Sequence, residues 1–113
     1  MNITVLKVEP GREPEVISIE NELSAFQLAV DGYIETVTLP DGCVIICNEE
    51  GKLNDSKLNR YFVIGNIWVN TIFGTFLIAR TDEDEFSSLR AKDIAYWTKE
   101  FKLGRNVAGV RNG

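Results

Sequence analysis

The chain has 113 residues, 44% of them hydrophobic and 26% charged, with a net charge of −5, two cysteines and no histidine. That length leaves room for one hydrophobic core, and that composition argues against both wholesale disorder and life in a bilayer. Without an imidazole, a Ser-His-Asp or Cys-His constellation cannot be assembled within one chain.

Ile3-Thr4-Val5-Leu6-Lys7-Val8 is rich in β-branched residues and reads as a strand. Glu9-Pro10-Gly11-Arg12-Glu13-Pro14 is a turn, and Glu15-Val16-Ile17-Ser18-Ile19 returns to complete a hairpin. Leu23, Phe26, Gln27 and Val30 then recur at helical spacing, which predicts a helix over 21–31 with Asn21 as its cap and Gly32 just past its end.

Tyr33 to Leu39 and Cys43 to Cys47 are β-branched runs flanking Pro40-Asp41-Gly42, a hairpin signal. Residues 48–59 are polar and turn-rich and predict a long ordered loop with room for one helical turn. A loop of that length is where function would sit. Ile67 to Asn70 and Ile72 to Ala79 supply at least one further strand, the second apolar enough to be central, with Gly65 and Gly74 marking a turn and a close approach.

Thr81-Asp82-Glu83-Asp84-Glu85 is a solvated acidic turn, after which Leu89, Ile94, Trp97 and Phe101 predict a second helix over about 89–102. Residues 104–113 read as a loose tail, so the expected organisation is one domain over 1–103. The fold class that follows is α+β: an antiparallel or mixed sheet of about five to six strands, with both helices packed on one face. That face would accept Leu23, Phe26, Val30, Leu89, Ile94, Trp97 and Phe101.

No stretch approaches the roughly 18 to 20 apolar residues of a bilayer span, and the amino terminus lacks the pattern of a secretory leader. The expected location is therefore the cytoplasm. Residues 1–85 hold 15 acidic and 6 basic side chains, and residues 86–113 hold 2 and 6. Such a chain repels phosphate backbones except through its carboxy-terminal part, and its acidic portion suits a basic partner.

The expected chemistry is binding without catalysis, cofactor or metal. Glu49 with Glu50, or the run Asp82 to Glu85, could hold a cation or transfer protons, but adjacent carboxylates in turns are commonly plain solvated charge. No phosphate-cradling glycine loop is present. The aromatics Tyr61, Phe62, Trp68, Phe73, Phe76 and Trp97 are expected to fill the core, with a stacking platform as the alternative. Cys43 and Cys47 lie on one side of a strand, roughly 13 Å apart, too far for a disulfide. They are expected to be inert core thiols.

Asp31-Gly32-Tyr33-Ile34-Glu35, Leu39-Pro40-Asp41-Gly42 and Cys47-Asn48-Glu49-Glu50-Gly51-Lys52-Leu53-Asn54 together resemble a family of short domains of unknown function carried by bacteriophages, plasmids and other mobile elements. The likeness runs over about residues 3–101. It departs at Asp31, where a second glycine is expected, and at Arg90, where a Ser or Thr helix cap is expected. The resemblance implies an accessory protein inside a bacterium, of the kind that antagonises host defence such as CRISPR nucleases or nucleotide-signalled immunity.

The candidate recognition residues are Asn48, Glu49, Glu50, Lys52, Asn54, Asn59 and Arg60. For Asn48, Asn54 and Gly51 a purely structural reading has equal weight, since asparagines bond loop backbone and glycine supplies positive φ. The expected activity is stoichiometric inhibition of a host defence protein through the acidic face. The alternatives are a sponge for a nucleotide signal, with Lys52 or Arg60 near phosphate, and a structural or interaction module. A homo-oligomer could build such a pocket.

Overall fold

The computed structural model describes residues 1–51, 57–64 and 67–103, with the stretches 62–64 and 67–70 described by backbone alone. The expected tail at 104–113, the turn at Gly65 and the middle of the polar loop lie outside the described residues. So do the side chains of Phe62 and Trp68.

The chain opens with the expected hairpin, β1 (Asn2–Val8) against β2 (Glu15–Glu20), paired antiparallel from Asn2↔Glu20 to Lys7↔Glu15. Helix α1 (Leu23–Val30) follows. It leads to β3 (Ile34–Thr38), a 3₁₀ turn at Pro40–Gly42, and β4 (Cys43–Asn48), which pairs antiparallel with β3 as the Pro-Asp-Gly signal predicts.

β5 (Leu58–Ile64) and β6 (Ile67–Phe73) form a separate antiparallel hairpin, and β7 (Phe76–Asp82) returns to the main sheet. A short β8 (Glu85–Ser87) folds back on β7, and α2 (Ala91–Glu100) ends the fold. The main sheet has the order β2-β1-β7-β4-β3, with β8 also paired to β7, and every pairing is antiparallel. The α+β class therefore stands, with two helices and a six-stranded antiparallel sheet among the described residues.

The placement of the helices differs from expectation. Side chains alternate between the faces of a strand, and the buried ones divide accordingly. Ile3, Val5, Val44, Ile46, Leu77 and Ala79 pack with Phe26 and Val30 of α1. Leu6, Val8, Cys43, Ile45, Cys47, Phe76 and Ile78 pack with Leu89, Trp97 and Phe101 of the α2 segment, and with Ile72 of β6. One helix thus covers each face of the sheet. The central strands β1, β4 and β7 are apolar at consecutive positions because both their faces are buried. Leu23, expected in the core, is 57% exposed.

Three further differences have local causes. Asn21 does not cap α1: its amide donates to the Phe86 carbonyl at 3.0 Å, and the cap position belongs to Glu22. The apolar run Ile72–Ala79 is not one strand, because the chain turns at Gly74, whose φ of 76° suits glycine. The polar loop is shorter than 48–59, with β4 running through Asn48 and β5 starting at Leu58. The acidic turn after Thr81 is a hairpin tip, Glu83-Asp84, between β7 and β8.

Candidate functional site

Three of the seven sequence-picked residues are buried and bonded to backbone. Asn48 donates from Nδ2 to the Val30 and Asp31 carbonyls at 3.2 and 2.9 Å, while its Oδ1 accepts from the Glu50 N–H at 2.7 Å. It thereby ties the C-terminus of α1 to the turn after β4. Gly32 leaves room for this, since a Cβ there would stand 2.5 Å from Asn48 Nδ2. Asp31 occupies the left-handed region at φ 62°, the conformation glycine adopts most readily after a helix.

Asn59 and Arg60 are consecutive yet almost wholly buried, at 1% and 0% exposure. A β-bulge explains this: Leu58 pairs with Phe73 and Arg60 with Ile72, so Asn59 is an extra residue and the alternation of faces is broken. Asn59 Nδ2 donates to the Val8 and Gly74 carbonyls at 2.9 and 2.8 Å. Arg60 donates to the carbonyls of Phe101 and Arg12 and to Asn59 Oδ1. Burial lowers the Arg60 guanidinium from its ordinary value, with Glu13 pulling the other way. The pair joins the end of β1, the β1–β2 turn, the β6–β7 link and the end of α2. Three of its five N–H donors are committed to these bonds and the group is fully enclosed, so an incoming phosphate could reach it only by opening the fold.

A second charged cluster lies at the start of α2. The Asp93 carboxylate, 4% exposed, accepts from Arg80 Nη1 at 3.0 Å, from Arg90 Nε and Nη2 at 3.1 and 3.2 Å, and from the Arg90 backbone N–H at 2.9 Å. The last bond is the half of a capping box that belongs to Asp93, while Arg90, where a Ser or Thr is expected, has no side-chain acceptor for the other half. The Arg90 guanidinium beside it, together with Arg80, holds the Asp93 carboxyl well below the usual carboxylate range.

Both cysteines are buried and unpaired, Cys43 against the Arg80 guanidinium at 3.8 Å and Cys47 donating to the Glu35 carbonyl at 3.7 Å. Burial raises the Cys43 thiol and, with Glu35 beside it, pushes the Cys47 thiol up to about 12. Thiols held protonated in this way are poor nucleophiles near neutrality.

Glu49 and Glu50 are exposed on the turn that Asn48 fixes. Lys52 and Asn54 lie outside the described residues. The Glu49 N–H donates to the Tyr33 carbonyl at 2.9 Å, which places Tyr33, 68% exposed, next to the turn. Leu28, 85% exposed, lies one helical turn before Asp31, itself exposed. Glu22 stands at the other end of α1, next to the exposed Leu23.

Sequence reasoning singled out Glu49 and Glu50 as candidates but not the exposed Leu23, Leu28, Asp31 and Tyr33. A readable signal was present: the stretch from Glu13 to Gly51 contains no lysine or arginine and nine carboxylates, all exposed. Large apolar side chains stand in the open among these carboxylates, of which Glu20 is paired with the amino-terminal ammonium at 3.0 Å, and together they form a surface equipped for contact.

Among the described residues, no group of three or more acidic or cysteine side chains is placed to hold a metal ion, and no helix is long and apolar enough to cross a membrane. No curated protein and no solved structure matches the chain. A family model described as a domain of unknown function (DUF3846) matches residues 3–102, close to the span of the resemblance read from the motifs, and the chain belongs to that family.

Proposed function

We propose that this domain works by binding, docking a basic surface of a partner protein on the exterior of α1 and the Glu49-Glu50 turn. The observation that carries this reading is the exposure of Leu23, Leu28 and Tyr33 within a 13–51 stretch that has nine carboxylates and no cation. The apolar groups would supply contact area, and the carboxylates orientation and a faster encounter. The partner in this proposal is a bacterial host defence protein such as a CRISPR nuclease, held in a stoichiometric, inhibited complex. That choice rests on the motif resemblance to domains of mobile elements.

The competing reading, a sponge for a nucleotide signal, has less support. It calls on Lys52 or Arg60 near phosphate; Lys52 lies outside the described residues, and Arg60 is enclosed and engaged with three oxygen acceptors.

Size exclusion of equimolar mixtures with a panel of CRISPR nucleases tests the proposal. One of them should co-elute with the domain one-to-one and lose cleavage in step with complex formation. Leu28→Ser combined with Glu49→Lys and Glu50→Lys should restore both free elution and cleavage. Full cleavage across the panel at a large excess of the domain, with no shift in elution, would overturn the inhibitor reading.

A further inference from the structure

The exterior of α2 differs from that of α1. Lys92, Tyr96 and Lys99 are spaced at four and three residues and are exposed on one side of the helix, and exposed Lys102 follows at its end. Tyr96 is 55% exposed, and its ring stands perpendicular to the buried Trp97 ring at 4.8 Å between centroids, which fixes its orientation. Asp93 is turned inward and shared by two arginines, so it does not offset the lysines. Glu100 is only partly exposed, at the flank of the row. Lys92 occupies the first turn of the helix, where the macrodipole disfavours a cation. Helix stability does not account for a lysine at that position.

We infer that this stripe is a contact for single-stranded nucleic acid, with Lys92, Lys99 and Lys102 on successive phosphates and Tyr96 stacked on a base. The net charge of −5 is no obstacle. Because the helices cover opposite faces, the carboxylates at the ends of α1, Glu22 and Asp31, lie about two layer spacings away, each about 10 Å. The Debye length at physiological salt is about 8 Å, so that distant repulsion is largely screened while lysine–phosphate contacts persist. Glu13 is nearer, its carboxylate accepting from the Leu103 N–H at 2.7 Å beside Lys102. The stripe requires no change in the α1 surface, and the two inferences stand or fall separately.

Fluorescence anisotropy of a labelled oligothymidylate titrated with the full chain tests this. Three phosphate contacts predict a log–log salt slope near −2, so affinity should fall roughly fifteenfold between 50 and 200 mM salt. Lys92→Glu with Lys99→Glu should abolish binding, and Lys92→Arg with Lys99→Arg should retain it. Tyr96→Ala should weaken binding about tenfold while Tyr96→Phe stays close to wild type. Circular dichroism checks that each variant is folded. Absence of saturable binding at 50 mM salt would overturn the inference. So would binding indifferent to the lysine reversals, or a salt-sensitive dimer lost in Lys99→Glu without any oligonucleotide binding, which would make a second copy of the chain the ligand.

Discussion

The two faces of the sheet are closed by helices of similar size, but different forces hold them. On the α1 side, Phe26 and Val30 make the apolar contact, and a single amide, Asn48, secures the helix end. On the α2 side the apolar layer is larger, with Trp97 stacked on Phe101 and Phe101 edge-on to Phe76. It is also bracketed by buried charge, Asp93 at the start of the helix and Arg60 at its end. Buried guanidinium and carboxylate groups persist only when their donors and acceptors are matched. The α2 side therefore uses Arg60, Arg80 and Asp93 in its architecture, whereas around α1 the carboxylates stay outside. Much of the surface available for recognition follows from that division.

The comparison is tested most severely at Arg60. Arg60→Met keeps most of the apolar stem but removes the guanidinium bonds to the Phe101 and Arg12 carbonyls and to Asn59 Oδ1. Losing a buried charged donor costs about 3–5 kcal/mol, so a loss of that size in urea unfolding is expected. A loss below about 1 kcal/mol would mean that water replaces the guanidinium, and that buried charge does not hold the α2 side.

Asp93 comes next, and its effect depends on pH. In the folded chain its carboxyl is held well below the usual range, first by the Arg90 side chain, whereas in the unfolded chain it titrates near 3.9. The unfolded state therefore takes up the proton first as the solution is acidified. The stabilisation is fully present above about pH 4 and is lost as pH falls further. Asp93→Asn should cost about 2–3 kcal/mol at pH 7. The gap to wild type should narrow between pH 5 and pH 2 in parallel denaturation curves. A gap that stays constant over that range would assign the loss to packing instead of charge.

These two clusters also show where the sequence could be read and where it could not. The hairpins and both helices were legible because Ile3 to Val8, Pro40-Asp41-Gly42 and the Leu89–Phe101 spacing are local signals with local causes. β5 was hidden: Asn59-Arg60 looks like loop, and only the bulge, a relation with Phe73 and Ile72 across the hairpin, turns both side chains inward. The choice of faces was hidden for a similar reason. β1, β4 and β7 are apolar at consecutive positions, which is compatible with a helix on either face, so periodicity carries no sidedness there. In the candidate site, Glu49 and Glu50 were legible as polar residues that packing does not demand. Asn48 looked the same, but its partners Val30 and Asp31 belong to a helix 17–18 residues earlier.

Asn48 gives the smallest expected effect and the one that defines the α1 side. Asn48→Ala removes two donors from the α1 carbonyl end and the acceptor for the Glu50 N–H. The sites are only partly enclosed, so water can take over some of these bonds, and a loss of about 1–2 kcal/mol is expected. Asn48→Asp separates the donor from the acceptor role. The carboxylate can still accept from Glu50, but it cannot donate to Val30 or Asp31, and it sets negative charge against the negative end of the helix. It should therefore be at least as damaging as alanine. Amide exchange supplies the local reading: protection should fall in 26–31 and at Glu50 in both variants while α2 keeps its own. Equal loss of protection in both helices would mean that the two sides open together, and that the separation of forces between the faces does not extend to their dynamics.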